Sequence, residues 1–325
     1  MPPIEPRVEV HLTRDEIRAA LEADVRSGLT AEPKDLPPKW FYDERGCELF
    51  ERITRLPEYY PTRAERSILQ EQRHVIPPFT GADTVVELGS GNSEKTRLLL
   101  DVFTDRHQLR RFIPFDVSEE TLRRAAAALA EEYWGVEVHA IVGDFDHHLE
   151  TIPEGGRQLV LFLGGTIGNF PPKARAEFLA SLSARLDVGD SLLLGTDLVK
   201  SPTRLVAAYD DAEGVTAEFN RNILRVIDRE LQADFVPERF AHVALFDEER
   251  EWIEMRLRSD RDQLVYVKAL DLETAFADGE EMRTEISAKF RRQRVEDELA
   301  EAGLALARWW LDDNEDFALS LSFKE

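Results

Sequence analysis

Between Thr84 and Asp197 the chain alternates short apolar runs with stretches of helical character, an order that few folds accept. The runs are Thr84-Val85-Val86-Glu87-Leu88, Phe112-Ile113-Pro114-Phe115-Asp116, Val136 to Val142, Leu159-Val160-Leu161-Phe162-Leu163 and Ser191-Leu192-Leu193-Leu194-Gly195. They are near-continuously apolar, the pattern of strands buried on both faces of a parallel sheet. Glu94 to Val102, Ser118 to Glu132 and Pro171 to Leu186 read as the intervening helices. Such alternation predicts an α/β fold with right-handed crossovers. Ala307-Arg308-Trp309-Trp310 and Phe317-Ala318-Leu319-Ser320-Leu321 predict a closing hairpin around Asp312-Asp313-Asn314.

The rest of the chain does not follow this alternation. Thr13-Arg14-Asp15-Glu16 reads as a capping box opening a helix that Gly28 would stop. Thr62-Arg63-Ala64-Glu65 reads as a second, opening a helix that ends before Pro77. The aromatic, proline-rich stretches Lys39–Asp43 and Leu56–Pro61 read as ordered loop and short helix. Residues 201–232 read as helical, 242–270 as two or three antiparallel strands, and 291–302 as helical. The expected division is a sheet domain of residues 62–199 plus 289–325 and an α+β lobe of residues 10–61 plus 200–288. The lobe is expected to pack over the ends of the parallel strands.

A net charge of −23, from 41 basic and 64 acidic residues, argues against a nucleic-acid partner. Arg291-Arg292-Gln293-Arg294 is a local basic patch that suits a solvated helix start. One cysteine, Cys47, excludes an internal disulfide and a cysteine-based metal site, which fits a reducing cytoplasm. Met1-Pro2-Pro3-Ile4-Glu5-Pro6 lacks the pattern of a signal peptide, and no run of 18 apolar residues is present. The expectation is a cytoplasmic monomer with no membrane partner. The seven histidines form no metal spacing, the adjacent His147-His148 read as solvated, and Asp312–Asp316 is no complete calcium loop, so no metal is expected.

Ligands of open α/β sheets bind at the carboxyl ends of the strands. Glu87-x-Gly89-x-Gly91 lets the backbone approach a ligand closely. The third glycine of the dinucleotide fingerprint is absent, Ser93 standing near its place, which argues against a pyrophosphate cofactor. Asp116, ending the next strand, suits the two hydroxyls of a ribose, although a turn aspartate would look the same. Gly143-Asp144-Phe145 suits an adenine, with the carboxylate on its amino group and the ring on its face. Together the three sites favour S-adenosylmethionine. Gly164-Gly165-Thr166-Ile167-Gly168-Asn169 ends the fourth strand and should face the transferred methyl. Asn169 offers a donor and an acceptor to a substrate amine or carboxylate, and is equally a turn residue.

The sequence resembles the histidine-specific N-α-methyltransferases of ergothioneine biosynthesis. The stretches that carry the resemblance include Leu36–Asp43, Ile53–Arg63, Val86–Gly91 with Glu94-Lys95-Thr96, Phe112–Val117 and Thr166–Asn169. Leu193–Lys200, Phe219-Asn220-Arg221-Asn222 and Thr284–Phe290 extend it, so it spans about residues 20–323 and includes the inserted lobe. The resemblance implies a class I, Rossmann-like methyltransferase sheet with an inserted α+β substrate lobe. It implies that Gly89, Lys95, Asp116, Asp144 and Phe145 hold S-adenosylmethionine, and that Tyr59, Asn169, Tyr209, Glu285 and Ser287 hold L-histidine. It implies transfer of three methyl groups to the α-amino group, giving hercynine. Glu285 and Ser287, two apart, would point to one side of an extended strand and hold both imidazole nitrogens; Met255 would pack near that ring. Tyr42 and Asn169 are candidates for orienting the amine, and no residue stands out as general base. Aromatic faces of Tyr42, Phe50 or Tyr59 would suit a quaternary ammonium product. The competing readings are a methyltransferase of another amino acid or small amine, a nucleotide-binding oxidoreductase, and an adenosyl-ligand sensor.

Overall fold

A computed structural model describes residues 5–145 and 147–325; the N-terminal Met1–Ile4 of the expected non-signal segment lies outside them. The first part of the chain runs β1 (Arg7–Val10), α1 (Arg14–Thr30), α2 (Glu44–Ile53), α3 (Pro61–Gln72) and α4 (Ile76–Thr80). It continues through β2 (Thr84–Leu88), α5 (Arg97–Asp105), β3 (Arg111–Asp116), α6 (Glu119–Glu132), β4 (Glu137–Val142), β5 (Gln158–Phe162), α7 (Pro172–Ala184) and β6 (Ser191–Asp197). Then follow α8 (Pro202–Tyr209), α9 (Val215–Leu231), β7 (Phe240–Asp247), β8 (Trp252–Ser259), β9 (Gln263–Val267), β10 (Leu272–Phe276) and β11 (Glu281–Ala288). The chain closes with α10 (Arg292–Glu301), β12 (Leu304–Leu311) and β13 (Phe317–Lys324).

Two compact units result. The first comprises residues up to Thr13, Pro61–Leu198 and Phe290–Glu325; the second comprises Arg14–Tyr60 and Val199–Lys289. Residues 10–13 and Pro61, expected in the lobe, lie in the first unit, and Val199 and Lys289, expected in the sheet domain, lie in the second.

The first unit holds one eight-stranded sheet of order β1-β4-β3-β2-β5-β6-β13-β12. Strands β1 to β6 pair in parallel, and β13 and β12 close the edge antiparallel. Every residue of β2, β5 and β6 is buried, as their unbroken apolar runs require. The order reverses at β2, whose neighbours are β3 and β5, so a ligand crevice belongs at the carboxyl ends of these strands. The hairpin turn is held by Asp312, whose carboxylate accepts from the backbone N–H groups of Asn314, Asp316 and Phe317. β1, only four residues long, was not legible in the sequence; its partner β4 supplies the ladder.

The second unit packs α1, α2, α8 and α9 with a three-stranded antiparallel sheet, β11-β8-β7, and the separate pair β10-β9. Helix α1 continues through Gly28 to Thr30. Gly28 is a close-approach glycine and not the expected stop: a Cβ there would lie 1.8 Å from the Asp35 carbonyl oxygen. The helical stretch 201–232 breaks at Asp210–Gly214, where Asp211 accepts from the backbone N–H groups of Val215 and Thr216 and caps α9.

Candidate active site

In the first unit the glycine turn follows β2. Gly89 and Gly91 have φ of 69° and 50°, and a Cβ on either would meet no atom within 4 Å. The turn is therefore an open cradle of backbone. Asp116 ends β3 and accepts from Gly91 N–H at 2.8 Å and Ser118 N–H at 3.0 Å, so β3 fixes the turn; burial raises its pKa. The cradle is polar inside: Ser90 Oγ is buried without a hydrogen-bond partner among the described residues, and the buried Ser93 hydroxyl and Glu87 carboxylate make at most a loose contact with each other. Buried polar groups are normally satisfied, so this set suits a polar ligand. Burial pushes the Glu87 carboxyl up to about 7, only partly offset by the Thr96 and Ser93 hydroxyls and the Lys95 charge.

That shift has a testable consequence. With the folded pKa above the unfolded value of 4.5, protonation of Glu87 favours the folded state below about pH 4.5, and this contribution disappears as pH rises through about 7. In the absence of cofactor, Glu87→Gln is expected to lose that part of the pH dependence. Denaturation midpoints at pH 5 and pH 7.5 measure it; an identical pH slope in both proteins rejects the assignment.

Lys95, placed in the sequence as a cofactor residue, pairs with Glu65. Glu65 is fully buried, and its second oxygen accepts from Gly164 N–H at 2.7 Å. The expected capping role of Glu65 gives way to a link between α3, the segment after the glycine turn, and the end of β5. Helix α5 starts at Arg97 rather than Glu94, because Ser93 takes a positive φ of 53° and Asn92 accepts from Glu94 N–H. Asp144 follows β4, and its backbone N–H lies 3.1 Å from His148 Nδ1, so His148 is a structural partner and only His147 is solvated. Phe145 joins Phe162, Phe170 and Phe178 in an aromatic cluster. Asn169 ends the short 3-10 turn Thr166–Asn169 after β5. Arg291, Arg292 and Gln293 of the basic patch are exposed as expected, whereas Arg294 is half-buried, paired with Glu298 and lying over the Phe290 ring.

In the second unit Glu285 and Ser287 share one face of β11, opposite Met255 and Ile253 of β8. A β-bulge makes this possible. Arg283 opposes Arg256 and Glu285 opposes Met255, so Thr284 is the extra residue. Without it, strict alternation would continue the apolar face of Met282 into Thr284 and Ile286. The bulge instead brings Glu285 and Ser287 onto the face of Met282, Leu257 and Met255, where both are buried. Met255 is core, 1% exposed, and is also the cross-strand neighbour of Glu285.

Asn220 holds the bulge. Its Oδ1 accepts from Thr284 Oγ1 at 2.6 Å, and its Nδ2 donates to the Arg256 carbonyl at 3.0 Å and to His242 Nδ1 at 2.8 Å. His242 Nε2 lies 2.8 Å from the Tyr209 carbonyl, and burial lowers the histidine pKa, which suits a neutral ring donating through Nε2. Asn220→Ala is expected to cost about 1–3 kcal/mol of stability and to weaken amino-acid binding while leaving cofactor binding unchanged. Urea denaturation and calorimetry check this; unaltered binding would separate the bulge from the site.

Tyr59 and Tyr209 pack edge to face at 6.3 Å, Phe50 joins Tyr59 at 6.1 Å, and Tyr42 joins Phe50 at 5.7 Å. Phe219 completes this wall, 5.6 Å from Tyr42 and 5.9 Å from Phe50. Tyr42 keeps 38% of its surface exposed. Even so, burial around its phenol, then the Glu285 carboxylate and the Tyr59 phenol, push its pKa well above the ordinary value. Tyr209 Oη lies 2.7 Å from Ser287 Oγ. Phe219, Asn220 and Lys289 were inside stretches that carry the family resemblance, but nothing local in the sequence marked their roles. Among the described residues no cluster suits a metal ion, and no helix is long and apolar enough to cross a membrane.

The strand order, the glycine turn after β2 and the carboxylates after β3 and β4 define a class I, Rossmann-like methyltransferase. A family described as histidine-specific methyltransferase, SAM-dependent, matches residues 21–324. The histidine N-α-methyltransferase of Mycolicibacterium smegmatis is 59% identical over 314 residues, covering 97% of this chain and 98% of that protein. Its counterpart in Mycobacterium tuberculosis is 58% identical over 314 residues, with the same coverage. Ergothioneine biosynthesis protein 1 of Neurospora crassa is 36% identical over 219 residues, 64% of this chain and 25% of that longer protein. The chain belongs to the histidine-specific, S-adenosylmethionine-dependent methyltransferase family.

Proposed function

We propose that this protein is a histidine N-α-methyltransferase. It transfers three methyl groups from S-adenosylmethionine to the α-amino group of L-histidine, giving hercynine, the first step of ergothioneine biosynthesis. The observation that carries the reading is the bulged strand that turns Glu285 and Ser287 onto one buried face. A carboxylate and a hydroxyl there match the two nitrogens of an imidazole, and an apolar side chain of similar size would leave both unpaired.

Gly89, Lys95, Asp116, Asp144 and Phe145 hold the cofactor in this reading; the open, polar cradle after β2 supports it. When bound, S-adenosylmethionine supplies a methyl group activated by its sulfonium. Tyr59, Tyr209, Asn169 and Met255 complete the amino-acid site, and Tyr42 and Asn169 orient the amine. The attacking nitrogen must be neutral, and catalysis comes mainly from alignment. The wall of Tyr42, Phe50 and Tyr59 offers aromatic faces that suit the charge of a quaternary ammonium product. The protein acts as a cytoplasmic monomer. Incubating it with S-adenosylmethionine and histidine tests the reading: three equivalents of S-adenosylhomocysteine should form per hercynine. Accumulation of monomethylhistidine alone would contradict it.

A further inference from the structure

Lys289 directly follows β11 and is fully buried. Its Nζ donates to Ser287 Oγ at 2.8 Å and to Tyr209 Oη at 2.9 Å, and it stands 4.7 Å from the centroid of the Tyr209 ring. A buried cation is costly, and a hydrophobic residue would fill the same space more cheaply. Two of its partners are hydroxyls assigned above to the amino-acid site.

We infer that Lys289 is a positioning residue that makes the Ser287 hydroxyl a hydrogen-bond donor toward the unprotonated imidazole nitrogen of the substrate. The inference rests on the functional reading above. A serine oxygen has two lone pairs and one hydrogen, and a lysine ammonium only donates. Lys289 fills one lone pair of Ser287. The Tyr209 phenol, a better donor than an alcohol, fills the second across 2.7 Å. The Ser287 hydrogen is then directed outward, on the face it shares with the Glu285 carboxylate. One group accepts and the other donates, which matches a neutral imidazole with one N–H and one bare nitrogen. An imidazolium has two N–H groups, and the second would meet a donor backed by a positive charge.

β11 contributes Glu285, α8 contributes Tyr209, and Lys289 follows the strand. Tyr42, Tyr59 and Cys47 share electrostatic surroundings with them. β8 contributes only Met255 and Ile253, because Glu254 lies on its other face with Trp252 and Arg256. β7 contributes His242, which pairs with Leu257 on this face and meets the Tyr209 carbonyl; burial lowers its pKa. Across the pH range of histidine titration, near pH 6.5, the substrate ring and the protein's own His242 are the groups that change charge; His242 is common to wild type and the Lys289 variants, so the difference in their pH ratios reports the ring.

The test measures histidine dissociation constants by calorimetry in the presence of S-adenosylhomocysteine, at pH 5.5 and pH 8. Wild-type binding should weaken about ten-fold at the lower pH, following the neutral imidazole fraction. Lys289→Met should bind histidine on the order of ten-fold more weakly at pH 8 and show a smaller pH ratio, with S-adenosylhomocysteine affinity unchanged. Adding Lys289→Met to Ser287→Ala should cost less than about two-fold, because the lysine acts through that hydroxyl. If Lys289→Met does not fold, Lys289→Gln is judged by the same pH ratio and the same double-variant comparison. Unchanged histidine affinity with an unchanged pH ratio, or losses that add to those of Ser287→Ala, would overturn the inference. A wild-type protein that binds no histidine would instead overturn the functional reading beneath it.

Discussion

Glu285→Ala is expected to lower kcat/KM for histidine on the order of 100-fold, roughly 3 kcal/mol at about 1.4 kcal/mol per factor of ten. Glu285 is 9% exposed and sits opposite Met255, so its carboxylate is desolvated in the free protein. A histidine N–H that loses this acceptor is left buried and unpaired, and the penalty is that of a charged hydrogen bond rather than a surface contact. The same change removes the negative charge that raises the Tyr42 pKa, so that phenol should titrate lower in the variant. S-adenosylhomocysteine binding should not move, because the residues proposed for it lie in the first unit. Steady-state kinetics with histidine, paired with calorimetry for the cofactor product, distinguishes these outcomes. Equal loss of both affinities would reject the division of roles.

The second large effect concerns Glu65. Its carboxylate is 1% exposed and meets both Lys95 and the Gly164 N–H. Breaking a buried ion pair by removing one partner costs roughly 3–5 kcal/mol. Lys95 retains 23% side-chain exposure, so Glu65→Ala should fall toward the lower end, about 3 kcal/mol. The loss should also reach the cofactor, since Lys95 and the loop after β5 are both anchored through this carboxylate. A lowered guanidinium midpoint together with weaker S-adenosylhomocysteine binding is the expected pair of results. A variant with wild-type values in both would show that Glu65 anchors neither. Glu65→Gln keeps the Gly164 contact and should recover part of the stability but less of the Lys95 geometry.

The parallel strands were legible because each is a buried apolar run bounded by glycine or aspartate, and burial on both faces leaves no other reading of Leu159–Leu163 or Ser191–Gly195. Gly89, Asp116, Asp144 and Phe145 were legible for the same reason: they sit where such strands end. Glu285 and Ser287 were legible as a pair two apart. What placed them on the buried face was not. Strict alternation would have carried Met282, Thr284 and Ile286 along one face, and only the bulge at Thr284, held by Asn220 from α9, reverses the phase. A bulge is a property of two strands, and its buttress lies 64 residues away. Glu65 failed in a related way. Its position three after Thr62 fits a capping box, while its actual partners, Lys95 and Gly164, are 30 and 99 residues distant. Gly28 was read as a helix stop because the sequence records a missing side chain but not the Asp35 carbonyl that excludes one. Lys289 lay in a stretch that carries the resemblance but gave no local signal of its role: a lysine at a strand end is ordinarily solvated, and here it is buried against Tyr209 and Ser287.

The central claim is that this protein methylates the α-amine of histidine and selects it by the imidazole. The most direct measurement supplies purified protein with S-adenosylmethionine and each of the twenty amino acids separately, with methylated products read by mass spectrometry. Hercynine from histidine, with little or no product from the other nineteen, is the predicted result. A trimethylated product from another amino acid, with none from histidine, would contradict it.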